Sequence, residues 1–392
     1  MKAALALVAL AACSFDPPPP LIDAAEIDAP DADAMEADAQ DGPSSDAPDA
    51  PDAWIPDGLP PDAPPIDAPP IDAPSCSLGA TRCAGNDVET CQGGAWAMTS
   101  SCANLCDRGA CVVPPSCSGG VNTCGPGGNE TCCASPPLPG GSYARSYDGV
   151  SVGFTDPSFA ATVSGFHLDA HEVSVARFQK FVAAYPASQP AIGSGRNPHD
   201  PGDPGWAAAW TASMPATQAD LNAALACDGL TSQGVTDPVR CVAWYVAQAF
   251  CIWDGGRLPT EAEWNFAAAG GNQQRVYPWS VPSSSTTISA SHATYQVAAP
   301  TRPGLHGLDL GRWGQRDLAG NVGEWTIDYH ASPYPTTTCG DCANRTAAAN
   351  RVIRGGGYSS NATQVTASYR SSAAPATPRA VVGFRCARNP LP

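Results

Sequence analysis

No run of apolar residues in this 392-residue chain reaches 18, so no segment is built to cross a bilayer as a helix. No phosphate loop, no Gly-x-Gly-x-x-Gly finger and no Ser-His-Asp order stands out. Gly355-Gly356-Gly357 precedes an expected strand rather than a helix, which excludes a dinucleotide signature. Residues 14–75 contain no Lys or Arg against sixteen acidic residues and sixteen Pro. That segment accounts for nearly all of the formal net charge of −17. Residues 76–392 are almost balanced, with nineteen Lys/Arg against twenty-one Asp/Glu. A nucleic-acid footprint and a substrate-repelling acidic surface are both disfavoured, and nucleic acid is not an expected partner.

The N-terminus reads MKAALALVALAAC. Lys2 and the apolar stretch Ala3–Ala12 have the form of an export signal. Leu10-Ala11-Ala12-Cys13 resembles the bacterial lipoprotein cleavage box, which implies a signal peptide over 1–12 and lipidation of Cys13. Ser14, rather than Asp, follows that Cys and favours the outer membrane or cell surface. The expectation is an exported protein with a lipid anchor in the cell envelope. Without Cys13 sixteen Cys remain, an even number that suits an oxidising compartment.

Residues 13–75 read as an acidic, Pro/Ala-rich disordered stalk. Asp-Ala-Pro recurs at 28–30, 46–48, 49–51, 62–64, 67–69 and 72–74. Proline removes backbone donors and Asp repels Asp, so the segment resists collapse. At ~3.1 Å per residue it reaches on the order of 190 Å. A Cys-rich module follows at 76–116, with Cys76, Cys83, Cys91, Cys102, Cys106 and Cys111. So short a module cannot bury enough apolar area alone, and three bridges would supply the missing stability. Zinc at Cys102-x3-Cys106 is the alternative. Trp96 is the expected packing centre, and the fifteen possible pairings stay open. A Cys-rich connector at 117–136 carries Cys117, Cys124, Cys132 and Cys133.

The segment 137–392 reads as a loop-rich α+β domain. Val175, Phe178, Val182 and Tyr185 recur at helical spacing behind Ser174, a fitting cap. A second helix is expected over Ala243–Trp253. Thr260 and Glu263 form a capping box for a third, which should end near Gly270-Gly271. Candidate strands are Val352–Arg354, Val365–Arg370 and Val381–Ala387.

Five stretches, in order, carry a resemblance: Asp169-x-x-Glu-Val-Ser174, Gly-Arg-Leu-Pro-Thr-Glu-Ala-Glu-Trp264, Gly-Asn-Val-Gly-Glu-Trp325, Arg-Val-Ile-Arg-Gly-Gly-Gly357 and Gly-Phe-Arg-Cys386. Together they resemble the formylglycine-generating enzyme (sulfatase-modifying factor) family. The resemblance implies an irregular α+β fold related to C-type lectins. Its active members oxidise a sulfatase Cys to formylglycine with O2, using copper held by two Cys. Those two positions fall here on Ser360 and Val365, and the Ser usual after Gly-Gly is Gly357. A soft cuprous site needs thiolate or thioether, so copper is not expected and no catalytic residue is assigned. The resemblance also implies a disulfide between Cys251 and Cys386, and a calcium site at Asp317, the carbonyls of Gly320 and Val322, and Glu324. Oxygen ligands in a short loop suit that cation. The related sulfoxide synthases carry a His-rich iron domain, but residues 76–136 contain no His.

Cys227 and Cys241 enclose a loop whose closure stabilises by about 3 kcal/mol in the entropic account. Cys339-Gly-Asp-Cys342 is read as a local structural disulfide, with redox and metal-binding roles as alternatives. His167, Asp169 and His171 would share one face of a strand, a metal triad by type but more ordinarily unliganded. Glu261 and Glu263 are an acid–base pair by type, better explained by helix capping and the helix dipole. The functional expectation is a binding module for a peptide, a glycan or a protein partner. The alternative is a protein-modifying oxidoreductase of the same family with a changed mechanism.

Overall fold

Short capped elements joined by eight disulfides make up the computed structural model, which describes residues 76–228, 233–336 and 338–389. All of them lie in one unit, Ala68–Pro392. The export signal, Cys13 and the stalk at 13–75 fall outside the described residues.

The Cys-rich segment forms a three-stranded antiparallel sheet, Thr81–Ala84, Asp87–Gln92 and Ala95–Ser101, followed by a hairpin of Leu105–Asp107 with Ala110–Val112. The bridges are Cys76–Cys91, Cys83–Cys106 and Cys102–Cys111. Trp96 does not sit at the centre. It is half-exposed under the Arg82 guanidinium, 4.4 Å from the ring centre, while Val88, Cys102 and Cys106 form the small core. With three bridges fixing the chain, a few small side chains fill the space that remains. The connector is closed by Cys117–Cys133 and Cys124–Cys132.

The larger domain contains five α-helices among the described residues. They are α1 (Val175–Ala183), α2 (Ala208–Thr211), α3 (Gln218–Ala224), α4 (Trp244–Trp253) and α5 (Glu261–Ala268). Ser174 caps α1 by accepting from the Arg177 N–H, and α5 opens on the Thr260/Glu263 capping box. A four-stranded sheet runs in the order Arg370–Ala373, Arg351–Arg354, Gly323–Tyr329 and Val382–Gly383, with the last pair parallel. Phe178, Phe181, Phe250 and Phe384 pack with Trp244 and Trp325, and the Cys251–Cys386 bridge lies in the same core. Burying each such ring contributes about 1.5–3 kcal/mol.

Two expected strands are shorter than their apolar runs suggest. Val365–Arg370 is not extended throughout: a 3₁₀ turn at Ala362–Gln364 leads into a bend, and the strand covers Arg370–Ala373. Val365 instead turns inward, against Val276, Tyr277 and Ala319. Val381–Ala387 splits into Val382–Gly383 and Ala387–Arg388. Between them Phe384 and Cys386 enter the core and Arg385 reaches Glu324.

The elements meet on a buried ring of four charges. Arg177 of α1 donates to Asp169 at 2.9 Å and to Asp254, just past α4, at 2.7 Å. Arg388, near the end of the chain, donates to the same two carboxylates. The Cys-rich module joins through its last residue, Ser116, whose N–H donates to Asp254 at 2.8 Å and whose hydroxyl accepts from Arg177 at 2.9 Å. All four side chains are at most 2% exposed. Burial alone would push the Asp169 carboxyl up, but Arg388 and Arg177 outweigh it and hold it below the usual carboxylate range.

Removing one cation from this ring leaves two buried carboxylates sharing the other. Arg177→Met is therefore expected to cost about 3–5 kcal/mol in chemical denaturation. Arg345→Met breaks a pair with Asp200 and Asp203 on a side chain that is 31% exposed, and should cost no more than about 1 kcal/mol. Equal losses in the two variants would contradict the ring's role.

Candidate functional site

The strand Arg351–Arg354 runs into Gly355-Gly356-Gly357 and then a tight turn. Gly356 has φ +65°, and a Cβ there would stand 2.4 Å from the Gln364 carbonyl, so the turn requires glycine. A Cβ on Gly357 would meet the Val381 carbonyl at 2.9 Å, which closes the space where a Ser was expected. Ser360 accepts the Gly357 N–H on its hydroxyl at 3.1 Å, and so is spent on shaping the turn. Asn361 and Gln364 then form a capping box, and Val365 is fully buried. One of the two decisive positions is thus a half-buried hydroxyl and the other a core methyl pair.

Beside them opens a cleft of about 140 Å³, lined by Ser360, Gln364, Tyr369, Ser371, Arg379 and Val381 among others. Ser371 belongs to Arg370–Ala373, the edge strand of the main sheet. The wall is rich in hydroxyl and amide groups and contains no sulfur. All sixteen described Cys are disulfide-bonded, so the described residues offer no thiolate to a cuprous ion and do not fit a copper centre.

A second feature lies on the other side of the Gly320–Glu324 segment. Glu172, Asp309, Asp317 and Glu324 are all buried. Arg385 grips Glu324 through both oxygens, at 2.6 and 2.7 Å, and Trp264 donates to it at 2.8 Å. Glu172 accepts from the Val322 N–H and from Asn321. Asp317 accepts from the Gly304 N–H on Oδ2, while its Oδ1 has no partner. Burial, then the neighbouring Asp309, pushes the Asp317 carboxyl up to about 7. Burial pushes Asp309 to about 6 although Arg316 pulls it back. Glu172 is raised well above its ordinary value by burial, Asp317 and Glu324. Four acids thus face two arginines, Arg316 and Arg385.

Of the expected calcium ligands, Asp317 keeps a free buried oxygen, and Glu324 is engaged by Arg385 and Trp264. Glu172 and Asp309 complete the cluster; sequence reasoning assigned them no role, although Glu172 stands in the Asp169-x-x-Glu motif. Among the described residues no three His, Cys, Asp or Glu side chains are arranged to hold a metal between them. A cation here would also need the Gly320 and Val322 carbonyls. The free Oδ1 and the excess of carboxylates over arginines fit a hard divalent ion in chemistry and charge.

His167, Asp169 and His171 are not assembled as a triad. The strand ends at Leu168, Asp169 belongs to the charge ring, and the His167 ring meets the Ser135 carbonyl. Burial, with Arg385 and Arg316, lowers His171 to about 3, so it is neutral. Glu263 is held by Arg257 as well as by the cap, and Glu261 by Arg370 at 2.5 and 2.8 Å. Neither is free for acid–base work. The structure pairs Cys227 with Cys241 and Cys339 with Cys342. The latter borders a cavity of about 260 Å³ with Arg145, Tyr334 and Asp328. Burial and Glu261 push the Asp328 carboxyl up to about 7. A larger cavity, about 530 Å³, lies elsewhere, between the Cys-rich segment and the ring residues Asp254 and Arg388.

Residues 127–390 match the sulfatase-modifying factor enzyme 1-like domain. The chain is 28% identical to the formylglycine-generating enzyme of Mus musculus over 284 residues, 65% of this chain and 75% of that protein. It is 34% identical over 159 residues to the inactive C-alpha-formylglycine-generating enzyme 2 of Mus musculus, 39% of this chain and 49% of that one. Among solved structures, PvdO from Pseudomonas aeruginosa aligns with a TM-score of 0.48 and 20% identity, over 65% of this chain and 94% of that one. With the family match spanning well over half its length, the chain belongs to the sulfatase-modifying factor family.

Proposed function

We propose that this member of the sulfatase-modifying factor family uses the family groove to bind an extended polypeptide and not to oxidise it. The observation that carries the reading is the pair Ser360 and Val365. The first closes a turn and the second fills the core, where active relatives need sulfur. A relative named as inactive among its similar proteins supports the same direction. The cleft's hydroxyls and amide suit main-chain groups. The free edge of Arg370–Ala373 suits addition of one more strand.

On this reading the domain works at the cell surface, exported and anchored through Cys13. Cys13→Ala should release the protein into soluble fractions, and continued membrane retention contradicts the anchor. An oxidoreductase working in this groove by another mechanism would have to do without sulfur or imidazole, since the described lining offers neither.

A fluorescent peptide containing a sulfatase-type Cys motif tests the groove. Saturable anisotropy is expected, lost in Ser360→Trp, and the peptide should keep its mass when Cu(I) and O2 are added. Loss of the mass expected for formylglycine overturns the non-catalytic reading. No peptide binding, or binding indifferent to Ser360→Trp, leaves a glycan or another protein face as the ligand and overturns the peptide reading.

The acid cluster is proposed to take one calcium ion through Asp317 and the neighbouring carbonyls. Calcium should raise the melting midpoint relative to chelator, and Asp317→Asn should remove the shift. An unchanged midpoint in the unsubstituted protein contradicts the site.

A further inference from the structure

Cys339 and Cys342 differ from the other seven bridges in how little of the fold they close. Their sequence separation is 3, whereas the others span 8 to 135. Opening them releases little chain, and both carriers are held by other means. Cys339 lies in the strand Thr338–Gly340, paired in register with Ala160–Thr162. The turn residue Asp341 accepts from the Ser164 N–H at 2.6 Å and from its hydroxyl at 2.7 Å, and donates its own N–H to the Thr162 carbonyl.

The two sulfurs sit in unlike surroundings. Cys339 is buried, while Cys342 is half-buried and lines the cavity of about 260 Å³. Three arginines line that cavity. Arg370 is neutralised by Glu261, and Arg345 by Asp200 and Asp203. Arg145 has no carboxylate partner among the described ion pairs, although it is only 4% exposed. Its Nε and Nη2 donate to the carbonyls of Phe159 and Thr336, its face lies 4.3 Å from the Tyr334 ring centre, and its Nη1 is 3.9 Å from Cys342 Sγ. A fixed, uncompensated cation therefore stands beside a sulfur that is neutral in the disulfide and negative as a thiolate. Such a cation favours the thiolate and makes Cys342 the better leaving group.

We infer that Cys339–Cys342 is a thiol–disulfide exchange site for a cysteine pair on a partner polypeptide, with Cys342 the exchanging sulfur and Arg145 its positioning cation. The partner's thiolate attacks Cys342 Sγ, the S–S bond breaks, and Cys339 leaves as a thiolate that takes up a proton. The partner's second thiolate then attacks its own sulfur in the mixed disulfide, and Cys342 leaves as a thiolate facing Arg145. The partner loses two electrons and two protons and becomes a disulfide; the Cys339–Cys342 pair gains both electrons and, with Cys342 left as a thiolate, one proton, and the second proton passes to Asp328 or to solvent. Asp328, whose carboxyl titrates near neutrality, lines the same cavity as a proton carrier. The strand Arg370–Ala373 contributes Arg370 to this cavity and Ser371 to the groove, but the exchange step uses no groove residue, so its failure and the failure of peptide binding are read separately.

The test equilibrates the full chain in graded ratios of reduced to oxidised glutathione, traps thiols by alkylation and maps them by mass. Cys339–Cys342 should open at a ratio roughly tenfold more oxidising than any other bridge, with the fold retained. Arg145→Gln should shift that ratio by about threefold towards stronger reduction, and Arg145→Lys should largely preserve it. In Cys339→Ser, the disulfide form of a two-Cys peptide should be trapped on Cys342, whose thiolate attacks the peptide's S–S bond while the sulfur that would resolve the mixed disulfide is gone. Opening of all eight bridges together, or only on unfolding, overturns the inference even if Arg145→Gln does not fold. An unchanged ratio in a folded Arg145→Gln overturns the role of the cation.

Discussion

Two arginines and two aspartates buried from solvent hold this molecule together. Each carboxylate of the ring meets both guanidiniums, and the four residues come from α1, from the end of α4, from the segment after Phe166–Leu168 and from the last strand. Charges this deep are tolerable only when every one is paired, so the ring enforces one relative placement of those elements. It also reaches the Cys-rich module through Ser116 and the connector through the Cys132 carbonyl. The disulfide-stapled segment and the larger domain are thereby tied together within one unit. A few kilocalories per mole from each buried aromatic ring fill the space that this placement leaves.

The family scaffold and the family chemistry rest on different side chains. The Glu324–Arg385 pair, the Trp264 indole and the Cys251–Cys386 bridge tie three of the family-like stretches into the core. None of them depends on what occupies positions 360 and 365. A hydroxyl can close the turn after Gly357, and a valine can pack against Tyr277, with no loss to the rest of the fold. The side chains at those two positions are thus separable from the contacts that hold the scaffold. Beside those positions stands a cleft lined by Ser360, Gln364 and Ser371, next to the edge strand Arg370–Ala373, which on the proposed function would bind main chain.

Local signals were legible where the physics is local. Ser174 and the Thr260/Glu263 box announced two helix starts, because a cap acts within one turn. The Thr217/Asp220 box of α3 carried the same kind of signal in a segment where no helix was expected. The strands after Gly357 were misjudged because apolar runs there serve burial and not extension: Val365 and Phe384 leave the strand direction to fill the core. The partners of Asp169 and Asp254 could not be read at all. Arg388 lies 219 residues from the first and 134 from the second, and spacing says nothing about pairs so far apart. The cation beside Cys342 was hidden for the same reason, since Arg145 stands 197 residues away. Trp96 misled by its size in a segment that disulfides, not rings, hold closed.

The claim on which the functional account turns is that the groove cannot bind cuprous copper. Titration of the native, fully disulfide-bonded protein with Cu(I) in ascorbate, against a competing chelator, addresses it directly. The account predicts that the chelator keeps the metal and that no copper–sulfur absorption appears. A stoichiometric, tightly held cuprous centre that survives the chelator and is lost on substitution of groove residues would contradict it.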